Sequence, residues 1–271
     1  YTVSPQSWYK LDASEIFNNT STEWSVDNNQ NPSAYPSSLD FKVVAGVADS
    51  ISATNTLPSA SDFTINLWVN PDSSQLQYST TIVFGNLVNG ENLQIITRFG
   101  TGYFYVGTGS SSYISQANAV QPNVWTLVTV TYNNTSRVLT AYLNGGENTY
   151  ASASGTTLPA QAFSNSTYIG KYSLSTTGFQ GKISNVQIFN TALPATGSNS
   201  VETLYNNGSP LASMTGFTSL ISWYKLNNTT TGIEDSKGSN NGTNNGATEY
   251  PGFVNVLAGE SAGMTSSNLV V

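Results

Sequence analysis

The sequence of 271 residues contains no cysteine and no histidine. Disulfide bridges, thiol nucleophiles, zinc sites of the usual Cys/His kind and imidazole-dependent catalytic triads are therefore excluded. Charge is also scarce, because only 8 Lys and Arg stand against 15 Asp and Glu, for a formal net charge of −7. Such a chain has no basic surface to neutralise phosphates, so we expect no nucleic acid among its partners.

Long apolar runs are missing as well. No window approaches the roughly 18 apolar residues of a membrane-spanning helix, so we expect no membrane insertion. Ser, Thr and Asn replace the missing charge, with roughly 100 residues together, far above their usual share in globular proteins. An apolar fraction of 38% and an aromatic fraction of 11% still supply material for a core. We therefore expect a folded chain with a polar, nearly uncharged surface.

Short alternating apolar runs bounded by Gly, Asn, Ser and Pro predict an all-β chain. In the run at residues 63–69 the apolar residues on one face are Phe63, Ile65, Leu67 and Val69. Trp68 falls on the other face because side chains alternate along a strand. Further strands are predicted at residues 81–84, 93–98, 103–106, 125–132, 137–143, 167–170 and 181–189.

One helix is predicted, over residues 198–208. Val201, Leu204 and Tyr205 have helical spacing there. Ser198 and Ser200 are the candidate N-caps, and the glycine at position 208 is expected to end the helix.

A five-residue sequence, Ser-Trp-Tyr-Lys-Leu, occurs at residues 7–11 and again, letter for letter, at residues 222–226. Both copies lead into an Asn-rich loop with an acidic residue, as expected of repeated modules that begin with the same strand. We interpret residues 1–208 as one domain and residues 209–218 as a short linker. Residues 219–271 are then the opening of a second, incomplete repeat or a docking tail, which folds alone, docks on the first domain or pairs with a neighbouring chain.

The order of these motifs resembles a laminin G-like domain of the concanavalin A-like lectin/glucanase superfamily. The resemblance is carried by the opening at residues 7–11 and by the runs at residues 63–69, 125–132, 139–145, 168–170 and 179–193. It implies a jelly-roll β-sandwich of two antiparallel sheets. The two openings and residues 263–270 further resemble tandem laminin G-like modules in structural proteins of marine viruses and phages, which implies an extracellular or virion-surface location.

The superfamily includes glycoside hydrolases, which need two carboxylates about 5 to 9 Å apart across the sugar. No predicted strand carries alternating acids. The one adjacent pair, Glu234 and Asp235, points to opposite faces if the chain is extended. We therefore expect no enzymatic activity.

Calcium is a candidate cofactor, because hard cations take carboxylate, amide and carbonyl oxygens and family members often bind calcium at the rim of the sandwich. The candidate ligands are Asp27, Asn28, Asp235 and Asn240. Against this, the family's Gly-x-Ile-Asp-Glu-Val strand reads Gly-Lys-Ile-Ser-Asn-Val at residues 181–186, without either acid. The competing interpretation is that these Asp and Asn residues form Asx-turns in tight loops.

Glycan binding requires an aromatic platform for the apolar face of a sugar and polar groups for its hydroxyls. Five aromatic residues in or beside polar loops are the candidates: Trp24, Tyr35, Tyr78, Tyr113 and Tyr150. Structural anchoring is an equal alternative for them. Four other tryptophans lie in strand patterns and are expected to pack in the core or on a sheet face: Trp8, Trp68, Trp125 and Trp223.

Two functions follow from these observations. The first is a non-enzymatic structural and adhesion module, one unit of a tandem array or fibre, whose partners are neighbouring copies and cell-surface glycans. The alternative is a soluble carbohydrate-binding lectin module that acts through glycan recognition itself.

Overall fold

A computed structural model of the chain describes residues 16–20, 23–26, 37–54, 57, 61–75, 79–85, 92–97, 104–108, 111–116, 119–146, 151–156, 158, 166–172 and 178–250. The chain divides into a larger unit of residues 36–251 and a smaller unit of residues 1–35 and 252–271. In the smaller unit, strands β1 (Ile16–Thr20) and β2 (Glu23–Val26) form an antiparallel hairpin. The larger unit contains the remaining described strands.

A seven-stranded antiparallel sheet forms one layer of the larger unit. Its strands, in spatial order, are β11 (Ser112–Gln116), β10 (Phe104–Gly107), β9 (Asn92–Thr97), β8 (Thr80–Gly85), β15 (Ser166–Ile169), β6 (Ser50–Thr54) and β18 (Thr243–Asn245). The strands from β8 to β11 are each paired with the next strand along the chain, whereas β15 with β8, β6 with β15 and β18 with β6 are pairings between strands far apart in the sequence.

An eight-stranded antiparallel sheet forms the other layer. Its strands, in spatial order, are β14 (Ala151–Ala153), β13 (Val138–Leu143), β12 (Thr126–Asn133), β7 (Phe63–Pro71), β16 (Gly181–Phe189), β3 (Ser38–Phe41) and β19 (Thr248–Tyr250), and β17 (Leu220–Tyr224) pairs with β16 beside this path. A short hairpin of β4 (Val43–Val44) and β5 (Val47–Ala48) lies outside both sheets. The predicted all-β sandwich of two antiparallel sheets is confirmed.

The central core lies between the two sheets because side chains alternate along each strand. On β7, Phe63, Ile65, Leu67 and Val69 belong to this core. Trp68 points the other way and joins a second apolar cluster. The predicted division of the β7 side chains between two faces is therefore confirmed.

The second apolar cluster covers the outward face of the eight-stranded sheet. Its buried members are Trp68, Leu127, Tyr142, Phe189, Leu193, Val201, Leu204, Met214, Phe217, Leu220 and Trp223. The sheet supplies one side of this cluster, and the segment after β16 supplies the other. Tyr205 stacks on Trp68 with ring centroids 5.9 Å apart, which fixes the end of helix α1 (Val201–Tyr205) to the sheet.

Helix α1 is shorter than predicted. Ser200 is its N-cap and accepts a hydrogen bond from the Thr203 N–H at 3.2 Å, so one of the two expected caps is found. The α-helix ends at residue 205 because Asn206 and Asn207 take left-handed backbone angles, with φ of 45° and 53°. In the described part of the chain, no helix has the length and apolarity of a membrane span.

The last three strands enter the same sheets as the strands that precede them. β17 pairs with β16, β18 with β6, and β19 with β3. Met214 and Phe217, from the predicted linker, are buried in the second cluster. The predicted boundaries at residues 208 and 219 stay a prediction, because pairing within one chain does not tell which segments fold independently.

Candidate functional site

One row of residues crosses the outward face of the seven-stranded sheet. Gly107 pairs in register with Gln94, Gln94 with Val83, Val83 with Tyr168, Tyr168 with Ser52, and Ser52 with Thr243. The residues next to them along the strands, such as Val106, Leu93 and Ile169, lie in the central core, so alternation directs the row outward. Six strands at a spacing of about 4.8 Å make this row about 24 Å across. Val83, near the middle of the row, is fully buried.

Tyr105 lies on the same outward face, two residues before Gly107 on β10. A Cβ atom at position 107 would overlap the Cζ and hydroxyl of Tyr105, so the ring lies against the glycine backbone. The Tyr105 hydroxyl lies 3.3 Å from the carbonyl oxygens of both Thr108 and Ser111 and shares its one proton between them. The half-buried ring is thus held at its Cβ end by β10 and at its hydroxyl end by the following turn.

Polar groups lie beside this ring. Gln94 is the register partner of Gly107, and its Nε2 donates to the Thr108 carbonyl at 3.4 Å. Farther along the row, Ser52 and Tyr168 are half-buried, and the Ser52 hydroxyl accepts from Asn245 Nδ2 at 3.3 Å. An ordered aromatic plane beside an amide group, with hydroxyl groups farther along the row, can pack on the apolar face of a sugar and bond its hydroxyls.

Polar residues on the outward face of the eight-stranded sheet form hydrogen bonds with one another instead. Asn66 donates from Nδ2 to Gln187 Oε1 at 2.5 Å and accepts from the Thr129 hydroxyl at 2.5 Å. Gln187 Nε2 in turn faces the sulfur of Met214 at 3.5 Å. All four side chains are buried, so this network supports packing and is closed to a ligand.

Asp235 anchors the loop that follows β17. Its Oδ1 accepts from the backbone N–H groups of Trp223, Lys237 and Gly238 at 2.9, 3.1 and 2.9 Å. Its Oδ2 accepts from the Ser222 hydroxyl. Both oxygens of this buried carboxylate therefore serve the turn geometry that Asp and Asn residues favour.

Two pKa values respond to this arrangement. Burial acts to raise the pKa of Asp235, but the hydrogen bonds from Ser222, Gly238, Trp223 and Lys237 together outweigh it and lower the pKa below its usual value. Burial raises the pKa of Tyr224 to about 12, a bond to Ser222 opposes the rise, and the Asp235 charge adds to it. Asp235 is thus ionised and Tyr224 neutral across the physiological range.

The predicted calcium ligands divide into two pairs. In the first pair, both Asp235 oxygens accept hydrogen bonds from the loop, and the Asn240 backbone carbonyl accepts from the Tyr224 hydroxyl at 2.6 Å. Asp27 and Asn28 lie outside the described residues. Within the described ranges no group of three or more His, Cys, Asp and Glu is placed to hold a metal. Calcium binding stays a prediction.

The structure describes the side chain of one of the five predicted glycan-binding aromatics. Tyr113 lies on β11, where it is half-buried and packs against the central core. Trp24 lies on β2, whose side chains are outside the description, and Tyr35, Tyr78 and Tyr150 lie outside the described residues altogether. Their role in binding stays a prediction.

Sequence reasoning missed Tyr105, because it searched for platforms in loops and treated residues 103–106 only as a strand. A signal was present: in Tyr105-Val106-Gly107 the aromatic residue and the glycine are two apart, so both face the same side of a strand. A glycine at that spacing leaves room for the ring to lie against the sheet.

The Ser184–Asn185 departure from the family strand has a structural use. The pairing of β16 with β7 shifts between Ser184 and Gln187, and Asn185 takes a φ of 49° at this bulge. Asn185 Oδ1 accepts from the Trp223 indole N–H at 3.1 Å, and Asn185 Nδ2 donates to the Ser184 hydroxyl at 3.0 Å. These two residues position β17 on the sheet.

Comparison with known proteins agrees with this fold. A laminin G family model of the concanavalin A-like lectin/glucanases superfamily matches residues 45–198. The match covers more than half of the chain, and the chain belongs to this superfamily, as its motifs predicted. Among curated proteins, no sequence matches.

Two solved structures are similar to this chain. One is a candidate carbohydrate-binding protein from Bacteroides ovatus ATCC 8483, with a TM-score of 0.60 at 21% identity over 82% of this chain and 61% of that chain. The other is a heptameric SAP-like pentraxin from Limulus polyphemus, with a TM-score of 0.56 at 15% identity over 82% of this chain and 98% of that chain. The chain spans about three fifths of the Bacteroides protein, and at these identities the likeness establishes the shared fold.

Proposed function

We propose that this chain is a non-enzymatic carbohydrate-binding module whose binding surface is the outward face of the seven-stranded sheet. The observation that carries the proposal is the ordered Tyr105 ring, which lies against Gly107 with its hydroxyl bonded to Thr108 and Ser111. A side chain that is already held in place loses little conformational entropy on binding. The description of the Bacteroides ovatus protein of this fold as a candidate carbohydrate binder agrees with the proposal.

The arrangement of acids supports binding without hydrolysis. In the adjacent pair, Glu234 is exposed while Asp235 is buried and bonded on both oxygens. The two carboxylates therefore cannot act together on one sugar, as glycoside hydrolysis requires. The lowered pKa of Asp235 also makes it a poor proton donor.

The experiment is a glycan array probed with the whole chain, followed by titration of each bound glycan. Tyr105→Ala removes the platform and should weaken binding at least about tenfold, equal to 1.4 kcal/mol. Tyr250→Ala is the matched control, because Tyr250 is an exposed tyrosine on the eight-stranded sheet, and it should bind as the wild type does. Equal binding by the wild type and Tyr105→Ala would overturn this site.

A second function is favoured by a separate observation, the recurrence of Ser-Trp-Tyr-Lys-Leu at residues 7–11 and 222–226. On this proposal the chain is a structural and adhesion module of a tandem array or fibre, outside the cell or on a virion surface. A nearly uncharged surface without histidine suits close packing of copies, because it repels little and does not switch charge near neutral pH.

Sedimentation velocity and electron microscopy test the second function. Ordered oligomers or filaments that grow with concentration are expected from a fibre module. A single monomeric species at all concentrations, together with selective glycan binding, would leave the lectin function alone.

A further inference from the structure

The segment at residues 222–226 is held at a defined position on the edge of the eight-stranded sheet. β17 pairs with the second half of β16, with Val186 opposite Tyr224 and Gln187 opposite Trp223. β3 occupies the same side of β16 only as far as Ile183. The position beside residues 186–189 is therefore a separate place for one short strand.

The bulge in β16 recognises this strand by both its backbone and a side chain. The Asn185 N–H donates to the Lys225 carbonyl at 2.9 Å, and its Oδ1 accepts from the Trp223 indole at 3.1 Å. Asn185 reaches both groups from a left-handed backbone conformation, with φ of 49°. A strand with a tryptophan two residues before a backbone carbonyl therefore satisfies both groups of Asn185, and a strand without the tryptophan keeps the backbone bond.

Each of the five residues makes a contact of its own. Ser222 donates to Asp235, and the Tyr224 hydroxyl donates to the Asn240 carbonyl at 2.6 Å. Lys225 Nζ lies 4.9 Å from the centroid of the Trp223 ring. The Leu226 N–H donates to the Gly232 carbonyl at 2.8 Å, and the Leu226 side chain is fully buried in the central core.

We propose that this strand position is a docking site for residues 7–11 of a second copy of the chain, in exchange for residues 222–226. The motivating fact is that both segments have the same five residues and so offer the same side chains to Asn185, Asp235 and Asn240. The inference rests on the second proposed function, for which it names the partner and the contact. It is independent of glycan binding.

Exchange of a segment between copies is an established route to association. Residues 7–11 have the same Ser, Trp, Tyr, Lys and Leu side chains that residues 222–226 use in this position. In a dilute solution the attached segment at residues 222–226 holds the position, because its effective concentration is on the order of millimolar or higher. Copies that are crowded together offer residues 7–11 at a comparable concentration. Occupancy by a second copy is therefore expected to rise with protein concentration.

The absence of cysteine permits a direct test with introduced cysteines in the full chain. One preparation carries Gln187→Cys and the other carries Trp8→Cys, because Gln187 faces Trp223 in the pairing and Trp8 is the counterpart of Trp223. The two are mixed at increasing concentration under oxidising conditions, and the mixed disulfide is quantified by mass spectrometry. A chain with both Gln187→Cys and Trp223→Cys is the positive control. A disulfide within this chain shows that β17 occupies its position beside β16.

The expected result is a mixed 8–187 disulfide at least about tenfold more abundant than the 14–187 product of a Ser14→Cys control, which lies outside the five residues. A synthetic peptide of residues 1–15 retains the tryptophan that Trp8→Cys removes. An excess of this peptide should suppress the mixed disulfide at least about tenfold, and the same peptide with Ala at position 8 should not.

Equal yields of the 8–187 and 14–187 products, or no effect of the peptide, would overturn the proposal. A chain with both Trp8→Cys and Gln187→Cys gives a further check. If its 8–187 disulfide forms only within one chain, the docked segment is the chain's own and not that of a second copy, which would also overturn the proposal. Oligomers in sedimentation without the mixed disulfide would reject strand exchange while leaving the fibre function standing.

Discussion

The outward faces of the two sheets differ in what covers them. On the eight-stranded sheet, Trp68 and Phe189 lie beneath helix α1 and the segment that follows β16, and the polar side chains there bond one another. On the seven-stranded sheet, Tyr105, Gln94, Tyr168 and Ser52 are only half-buried. Val83 and Ile96 on this second face are buried. The covered face therefore belongs to the folded core of the molecule, whereas the other face combines buried apolar residues with half-buried polar and aromatic groups.

Because of this difference, substitutions on the two faces should affect different properties, stability on one face and binding on the other. Removing apolar volume from the covered face leaves a cavity, whereas truncating a half-buried side chain on the other face leaves the core intact. Variants on the covered face should lose stability and lose binding only through unfolding. Variants around Tyr105 should lose binding while the fold remains.

The largest effect is expected from Phe189→Ala. Phe189 is fully buried and its ring lies 5.6 Å from that of Phe217. The substitution should reduce the free energy of unfolding by about 3 to 5 kcal/mol, measured by urea denaturation. Tyr250→Ala, at an exposed position, should change it by less than about 0.5 kcal/mol. Equal stabilities of the two variants would remove the contrast between the faces.

The next effect concerns Asp235, which bonds four donors in the loop after β17. Asp235→Ala leaves the Ser222 hydroxyl and three backbone N–H groups without this acceptor and should reduce the free energy of unfolding by about 2 to 4 kcal/mol. Thermal denaturation at neutral pH measures the loss. A loss below about 0.5 kcal/mol would contradict the role of Asp235 as the anchor of this loop.

Asp235 should also contribute stability to the fold that is lost in acid. Its pKa is lower in the folded chain than in the unfolded chain. Its contribution to the free energy of unfolding is therefore complete above the unfolded pKa of about 3.9. The contribution is lost as pH falls through the lower folded value. The difference in unfolding free energy between wild type and Asp235→Asn should therefore shrink as the pH falls below about 4, measured by urea denaturation. A difference that is constant with pH would contradict this assignment.

An effect on both binding and local stability is expected from Gly107→Ala. The added Cβ meets the Tyr105 ring and the backbone carbonyl oxygen of Ser111, so both the ring and the Ser111 backbone must shift. Affinity for an array-selected glycan should fall about tenfold although Tyr105 is still present, measured by titration calorimetry. Unchanged affinity would mean that the position of the ring does not matter.

The smallest effect is expected from Tyr105→Phe. This variant keeps the aromatic plane but loses the bonds to Thr108 and Ser111, which are long at 3.3 Å. The loss should be about 1 kcal/mol or less, or at most about fivefold in affinity by the same titration. A loss as large as that of Tyr105→Ala would assign the contact to the hydroxyl instead of the ring.

The strands and their alternation could be predicted from the sequence because they are local patterns, as the division between Ile65 and Trp68 illustrates. The row from Gly107 to Thr243 could not, because three of its pairings, β8 with β15, β15 with β6 and β6 with β18, join strands distant in the chain. Helix α1 was predicted, but its early end was not, because Asn206 and Asn207 adopt left-handed angles that composition alone does not reveal. The bulge at Asn185 was visible only as a departure from the family motif.

The central claim is that the outward face of the seven-stranded sheet binds the glycan. Amide chemical-shift mapping of the chain with an array-selected glycan tests it most directly. The account predicts the largest shifts at Gln94, Gly107 and Thr108, and their loss in Tyr105→Ala. Shifts confined to the covered face or to the loop around Asp235, with Gln94 and Gly107 unchanged, would contradict it.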